Sequence, residues 1–94
     1  GDIAYFYSLD KVTFAVTKDG KAHVIDLPLS KLEEQLDGRV FFRVNRQFIL
    51  SADSIRNIQH YFNGKAVVSV WPAYEGTIQI SRERMALLKM WLNS

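Results

Sequence analysis

Cysteine is missing from the chain altogether, which excludes a disulfide framework and any thiolate metal site and is compatible with a reducing compartment. No apolar run approaches the ~20 residues needed to cross a bilayer. Nor does the chain open on a basic region followed by an apolar core, so it is expected to be soluble and cytoplasmic, with no address of its own. There is no glycine-rich phosphate loop, no internal repeat and no low-complexity segment. Arginine is absent from residues 1–38, which carry four lysines against seven carboxylates, a net of −3; residues 39–94 carry six arginines and two lysines against three acids, a net of +5. The overall charge of +2 is by itself a feeble argument for a polyanionic partner, but its distribution sets the second part of the chain apart.

What is present is the composition of a well-packed domain. With 48% hydrophobic and 13% aromatic residues, 94 positions are enough for one core and too few for two, so residues 1–94 are expected to form a single domain. Gly1 reads as a linker end. Asp2 to Ser8 alternates as a strand, with Ile3, Tyr5 and Tyr7 on one face, and Leu9-Asp10 makes a tight turn. From Lys11 to Thr17, Val12, Phe14 and Val16 point to the core, leaving Lys11, Thr13, Ala15 and Thr17 on a face that can be wet. Asp19-Gly20 predicts a type I′ hairpin, and His23, Ile25 and Leu27 line a third strand.

Pro28 ends that strand, and Ser30 with Glu33 predicts a capping box opening a helix of about two turns. Leu32 and Leu36 would dock it, Gly38 would stop it, and Glu33, Glu34 and Asp37 would make an acidic outer face. Beyond residue 51 come a turn at Ala52-Asp53-Ser54, a strand from Ile55 to Phe62, a hairpin turn at Asn63-Gly64 and return strands at 66–71 and 77–80. Ser81 caps a last helix that repeats Met85, Leu88 and Leu92 at helical spacing. The fold class is therefore mainly β: seven or eight short strands, mostly antiparallel, with two short helices.

Catalytic chemistry is hard to assemble from these residues. His23 and His60 lie on apolar strand faces, where packing explains them, and two histidines without ligand-type neighbours do not make a metal site. Asp10, Asp19 and Asp53 fall in turns, where backbone hydrogen bonding accounts for an aspartate. No serine stands in a nucleophile elbow. The chain is not expected to be an enzyme, and no metal, cofactor or small-molecule ligand is expected.

The stretch from Arg39 to Ser51 is the informative one. It sets two apolar pairs, Phe41-Phe42 and Phe48-Ile49, around a polar, cationic centre of Arg43, Asn45, Arg46 and Gln47. Phe42 and Val44 share one face of a strand, Phe41, Arg43 and Asn45 share the other, and 45–47 reads as a loop between strands. Arg, Asn and Gln can each engage a base edge with paired groups on a rigid plane, and such a pair is worth ~1–3 kcal/mol of discrimination. Arg43 could equally be a solvated strand residue and Arg46 a solvated loop arginine. Arg82 and Arg84 sit in the first turn of the last helix, where their charge opposes the dipole unless something anionic, such as a phosphate, lies nearby. Lys11 and Lys65 flank turns. An aromatic patch of Phe48, Tyr61, Trp71 and Tyr74 for a protein partner is the rival reading.

The run Phe42-Arg43-Val44-Asn45-Arg46-Gln47-Phe48-Ile49, followed by Ile55, a hairpin, and Ile80-Ser81-Arg82 at the start of a terminal helix, resembles the LytTR-type DNA-binding domain of bacterial response regulators. The likeness extends over the Asp2-Ile3-Ala4-Tyr5 strand, the Asp19-Gly20 turn and the Leu29–Leu36 helix, so it covers essentially the whole chain. It implies an antiparallel, multi-sheet β fold that presents loops to the major groove. It also implies binding of double-stranded DNA at paired repeats; because one small module offers a limited interface, two copies are expected on DNA, and the isolated domain is expected to be monomeric. The role implied is transcriptional regulation, with an N-terminal receiver domain outside this chain. By motif position, Asn45, Arg46 and Gln47 match the central contact loop, which is usually His-Arg-Ser. Ser81, Arg82 and Arg84 match the C-terminal contact region, and Lys11 to Thr13 the N-terminal one. Asn45, Gln47 and Ser51 depart from the common residues, so the preferred base sequence does not carry over, and Thr13 offers only a short hydroxyl.

Overall fold

Alternating apolar residues in short runs fold into eight strands, and the computed structural model describes residues 2–94 of them and their connections. Gly1, read above as a linker end, lies outside those residues. The strands are β1 (Ile3–Leu9), β2 (Val12–Thr17), β3 (Ala22–Ile25), β4 (Phe41–Arg43), β5 (Phe48–Ser51), β6 (Ile55–His60), β7 (Ala66–Val70) and β8 (Ile78–Ile80). Helix α1 spans Leu29–Gln35 and helix α2 spans Arg82–Leu92. One sheet has five strands in the order β3-β2-β1-β5-β4 and the other has three in the order β6-β7-β8. Every pairing is antiparallel, as short connections require.

Two apolar clusters hold these layers together. The larger joins Tyr5, Val16, Val44, Phe48 and Leu50 of the first sheet to Ala66, Val68, Val70, Ile78 and Ile80 of the second, with Met85 and Leu88 of α2 completing it. The smaller covers the opposite face of the first sheet, where Phe6, Ala15 and Ile49 meet Leu29 and Leu32 of α1. Strand β5 is interior, between β1 and β4, and covered on both faces, which is why Phe48, Ile49, Leu50 and Ser51 are buried without alternation. In β7 and β8 one face is wet, and burial alternates as the sequence does.

Several local expectations are corrected. Ile3 does not share a face with Tyr5 and Tyr7: a bulge between Ile3 and Tyr5 shifts the register by one, so Ile3 packs in the smaller cluster. The Ala15 face of β2 is not wet, because α1 lies over it, and Thr13 is only 4% exposed. Conversely Val12, expected in the core, is 39% exposed. The two-residue turn with both φ positive is Asp10-Lys11 (φ 50° and 67°), between the paired residues Leu9 and Val12. At Asp19-Gly20 the loop is one residue longer, closed by Thr17 N–H to the Lys21 carbonyl, and only Gly20 is left-handed.

Helix α1 starts after Pro28 rather than at a Ser30 capping box, and no side chain caps it. Leu36, not a left-handed Gly38, ends it in an extended conformation. The helix holds because Leu29 and Leu32 are buried. Both His23 and His60 are exposed, since each lies on an uncovered part of its sheet. The expected aromatic patch does not form as one surface: Phe48 is buried with Tyr74 packed edge-on against it at 4.8 Å, leaving Tyr61 and Trp71 exposed.

Candidate nucleic-acid interface

Antiparallel pairing brings three connections to one end of the five-stranded sheet: the β1–β2 turn, the 44–47 loop between β4 and β5, and the end of β3. The Ser8 N–H bonded to the Gln47 carbonyl at 2.9 Å ties the first two together. The Phe41/Phe42 alternation places Phe42 in the larger core and Phe41 in the smaller, so Arg43 emerges on the α1 side.

There Arg43 does structural work with all three arms of its guanidinium. Its Nε donates to the Asn45 carbonyl at 3.1 Å, Nη2 to the Arg46 carbonyl at 2.8 Å and Nη1 to Glu33 Oε1 at 3.1 Å. The planar fork of arginine suits this, because it fixes donors at set angles on the carbonyls of two successive loop residues. Asn45 closes the loop from within: its Oδ1 accepts from the Gln47 N–H at 2.8 Å, an Asx turn, and its Nδ2 donates to the Gln79 carbonyl of β8 at 2.7 Å. Among the described residues, the Arg46 and Gln47 side chains have neither hydrogen bond nor ion pair, and both residues are exposed.

The start of α2 approaches the same loop. Ser81 Oγ accepts the Arg84 N–H at 3.2 Å, the expected cap. Arg84 then turns inward: its guanidinium lies 4.7 Å from the centroid of the Phe42 ring and donates through Nη2 to the Arg43 carbonyl. A carbonyl and a ring face thus hold this cation against the helix dipole. Arg82 stays exposed, its aliphatic stem lying over Gly64 in the β6–β7 turn, with Cδ 2.6 Å from where a Cβ would stand.

Between these elements runs a groove of about 970 Å³, with Asn45, Arg46 and Gln47 on one wall, Tyr61 and Lys65 on the other, and Thr77, Gln79 and Ser81 between. Lys11, in the β1–β2 turn at the same end of the sheet, is exposed and left-handed, a conformation costing a non-glycine residue about 1 kcal/mol. Thr13 is withdrawn from this surface altogether, buried beside the Val24–Pro28 connection. Sequence reading missed Tyr61, Thr77 and Gln79 as lining residues; the alternation of β8, which turns Gln79 outward between two buried isoleucines, was the signal available.

The sequence matches the LytTr DNA-binding domain model over residues 1–93. The chain belongs to the LytTr DNA-binding domain family. Its structure superposes on a LytTr DNA-binding domain from Bacillus cereus with a TM-score of 0.81, covering 99% of this chain and 83% of that one at 18% identity. A curated relative, the sensory transduction protein LytT of Oceanobacillus iheyensis, is 37% identical over 54 residues, 57% of this chain. The chain spans 22% of that relative's length. The mainly β, two-helix architecture expected from the sequence is thus the LytTr fold, and DNA binding, not catalysis, is what defines the family. Among the described residues no helix is long and apolar enough to cross a membrane.

Within this LytTr domain Arg43 is a positioning residue, with a side chain only 21% exposed. Arg43→Lys is expected to leave the melting temperature within a few degrees while lowering discrimination between a preferred and a random duplex roughly tenfold. A lysine keeps the charge near Glu33 but cannot span both loop carbonyls. Competition polarisation against random duplex measures this; wild-type discrimination in the lysine variant would show that the fork is not what orders the loop.

Proposed function

We propose that this LytTr domain is the sequence-reading output domain of a two-component response regulator. On this reading its loops enter the major groove of double-stranded DNA at paired repeats. The observation that carries it is the pairing of a locked loop with free side chains: Arg43 and Asn45 fix the 44–47 backbone, and Arg46 and Gln47 project from it without partners. A preorganised loop loses little conformational entropy on binding, so its contacts convert efficiently into discrimination. Arg46 and Gln47 take the base-reading role. Lys65 across the groove, Arg82 over the hairpin turn and Lys11 at the same end of the five-stranded sheet are exposed cations suited to phosphates.

Asn45 and Arg84 support the surface rather than touch DNA, because their polar groups are already engaged within the fold. Ser81 acts as the cap that aims Arg82. Glu33 of α1 is the counter-ion of Arg43 and lines a pocket with Arg46 and Ser81 on the α1 side of the loop, so its charge there is offset by the Arg43 guanidinium. One small module offers a limited interface, so useful affinity comes from two copies on adjacent repeats, with the free domain monomeric.

The test is a polarisation titration of duplex DNA across a salt series. Wild-type binding is expected to weaken steeply with salt, and Arg82→Ala to make the log–log slope shallower by about one charge. No binding even at low salt would overturn the proposal, and an unchanged slope would remove Arg82 from the phosphate contacts.

A further inference from the structure

The β6–β7 hairpin ends in a feature that base reading by 45–47 does not use. Phe62 is 87% exposed at its tip, the most exposed large hydrophobic residue among those described, and the adjoining Tyr61 is 52% exposed. The turn itself does not ask for a phenylalanine. It is closed by the Tyr61 N–H to the Lys65 carbonyl at 2.9 Å, and the backbone reversal is made by left-handed Asn63 and Gly64 (φ 71° and 77°). A polar residue at 62 would serve the turn equally and would not leave a ring in water.

The surroundings say what the ring is suited to meet. Lys65 follows the tip and Arg82 lies over Gly64, so the turn and the start of α2 form one unit with two exposed cations beside an exposed ring. Tyr61 and Lys65 also form the wall of the groove that faces Arg46 and Gln47. An apolar side chain flanked by unpaired cations, on the rim of a surface that binds a polyanion, has the chemistry of a wedge: the cations hold phosphates while the ring enters a base step.

We propose that Phe62 inserts into the DNA as such a wedge, unstacking a base step beside the site contacted by Arg46 and Gln47. The proposal rests on the DNA-reading role given to that loop. Arg82 fixes the turn by lying across Gly64. Pyrimidine–purine steps, which unstack most readily, are the preferred target, so the hairpin contributes sequence preference at a position where no hydrogen bond is made.

The experiment begins with duplexes of about 30 base pairs enriched from a random pool by the wild-type domain, long enough for two sites a helical turn apart. 2-Aminopurine is then placed in turn at each position next to the enriched motif. Wild-type protein is expected to raise its emission at one step, and Phe62→Ala to abolish that rise with an affinity loss of about tenfold. Phe62→Trp should restore the signal. Arg46→Ala should keep the rise on the duplexes it still binds. Phe62 is so exposed that its truncation leaves the core untouched, and an unchanged melting temperature verifies this. Full emission with Phe62→Ala, or no rise with wild type on an enriched duplex, overturns the wedge while leaving base reading by 45–47 intact. Failure to enrich any duplex overturns both.

Discussion

Leu88→Ala is expected to lower the unfolding free energy by about 2–5 kcal/mol, which in a domain of this size is a fall in melting temperature on the order of 10–30 °C. Leu88 is fully buried where α2 closes the larger core, against side chains from both sheets. Truncation there loses the transfer energy of the removed carbons and leaves a cavity that two sheets and a helix cannot easily collapse. Leu87, one residue earlier on the outer face of the same helix, is 46% exposed, and the same change there should cost well under half as much. Urea or thermal unfolding of the pair measures the difference; equal costs would mean that α2 is not held by this packing. Duplex binding by Leu88→Ala should recover on cooling as the folded fraction recovers. A true contact variant would stay defective at every temperature.

That comparison also shows where sequence and structure agree. Met85 and Leu88 were legible as the inner side of α2 because an eleven-residue helix repeats its apolar positions, whereas Leu92, grouped with them by the same spacing, is 40% exposed at the helix end. Strands β7 and β8 were legible because each has one wet face, so period-two alternation survives in the sequence. The same rule failed on β2, whose second face is covered by α1, a contact between segments that nothing in the local sequence announces. Ile3 was misplaced for a different reason. A bulge reverses the face of every residue on one side of it, and no residue type marks this one. Asp10-Lys11 adopts two positive φ values without a glycine, so the turn that best fits type I′ carried a weaker signal than Asp19-Gly20 did.

The candidate site divides along the same line. The outward placement of Arg46 and Gln47 could be read because it is local: polar side chains in a short loop between the buried Val44 and Phe48 have nowhere to go but outward. The roles of Arg43, Asn45 and Arg84 depend on partners elsewhere. Asn45 reaches a carbonyl of β8, and Arg84 reaches back from α2 to β4. Until those chains are folded together, an interior-facing arginine and a free one look alike in sequence. Arg84 and Arg82 stand two residues apart with opposite fates, one stacked on Phe42 and the other exposed over the hairpin turn. Tyr5 belongs to the same class: its hydroxyl donates to the Pro72 carbonyl at 2.8 Å, and burial pushes the phenol pKa up to about 12.

Arg46→Ala is expected to flatten discrimination between an enriched duplex and random DNA by roughly 10- to 100-fold, the worth of one bidentate contact to a guanine edge. The loop itself should survive, because what orders it is the Arg46 carbonyl held by Arg43 and the Asn45 side chain held by Gln47 and Gln79, none of which is removed. Binding to random duplex should fall much less, since Arg82, Lys65 and Lys11 remain to meet phosphates. Arg46→Lys separates the two ways in which an arginine can act. A lysine keeps the charge and hence most of the salt dependence, but it lacks the planar fork, so discrimination should fall nearly as far as with alanine. Paired titrations of the enriched and random duplexes at two salt concentrations give both quantities at once. Equal losses on the two duplexes, with a shallower salt slope for alanine and recovery by lysine, would make Arg46 a phosphate contact and leave Gln47 as the only free side chain of this loop available to read a base.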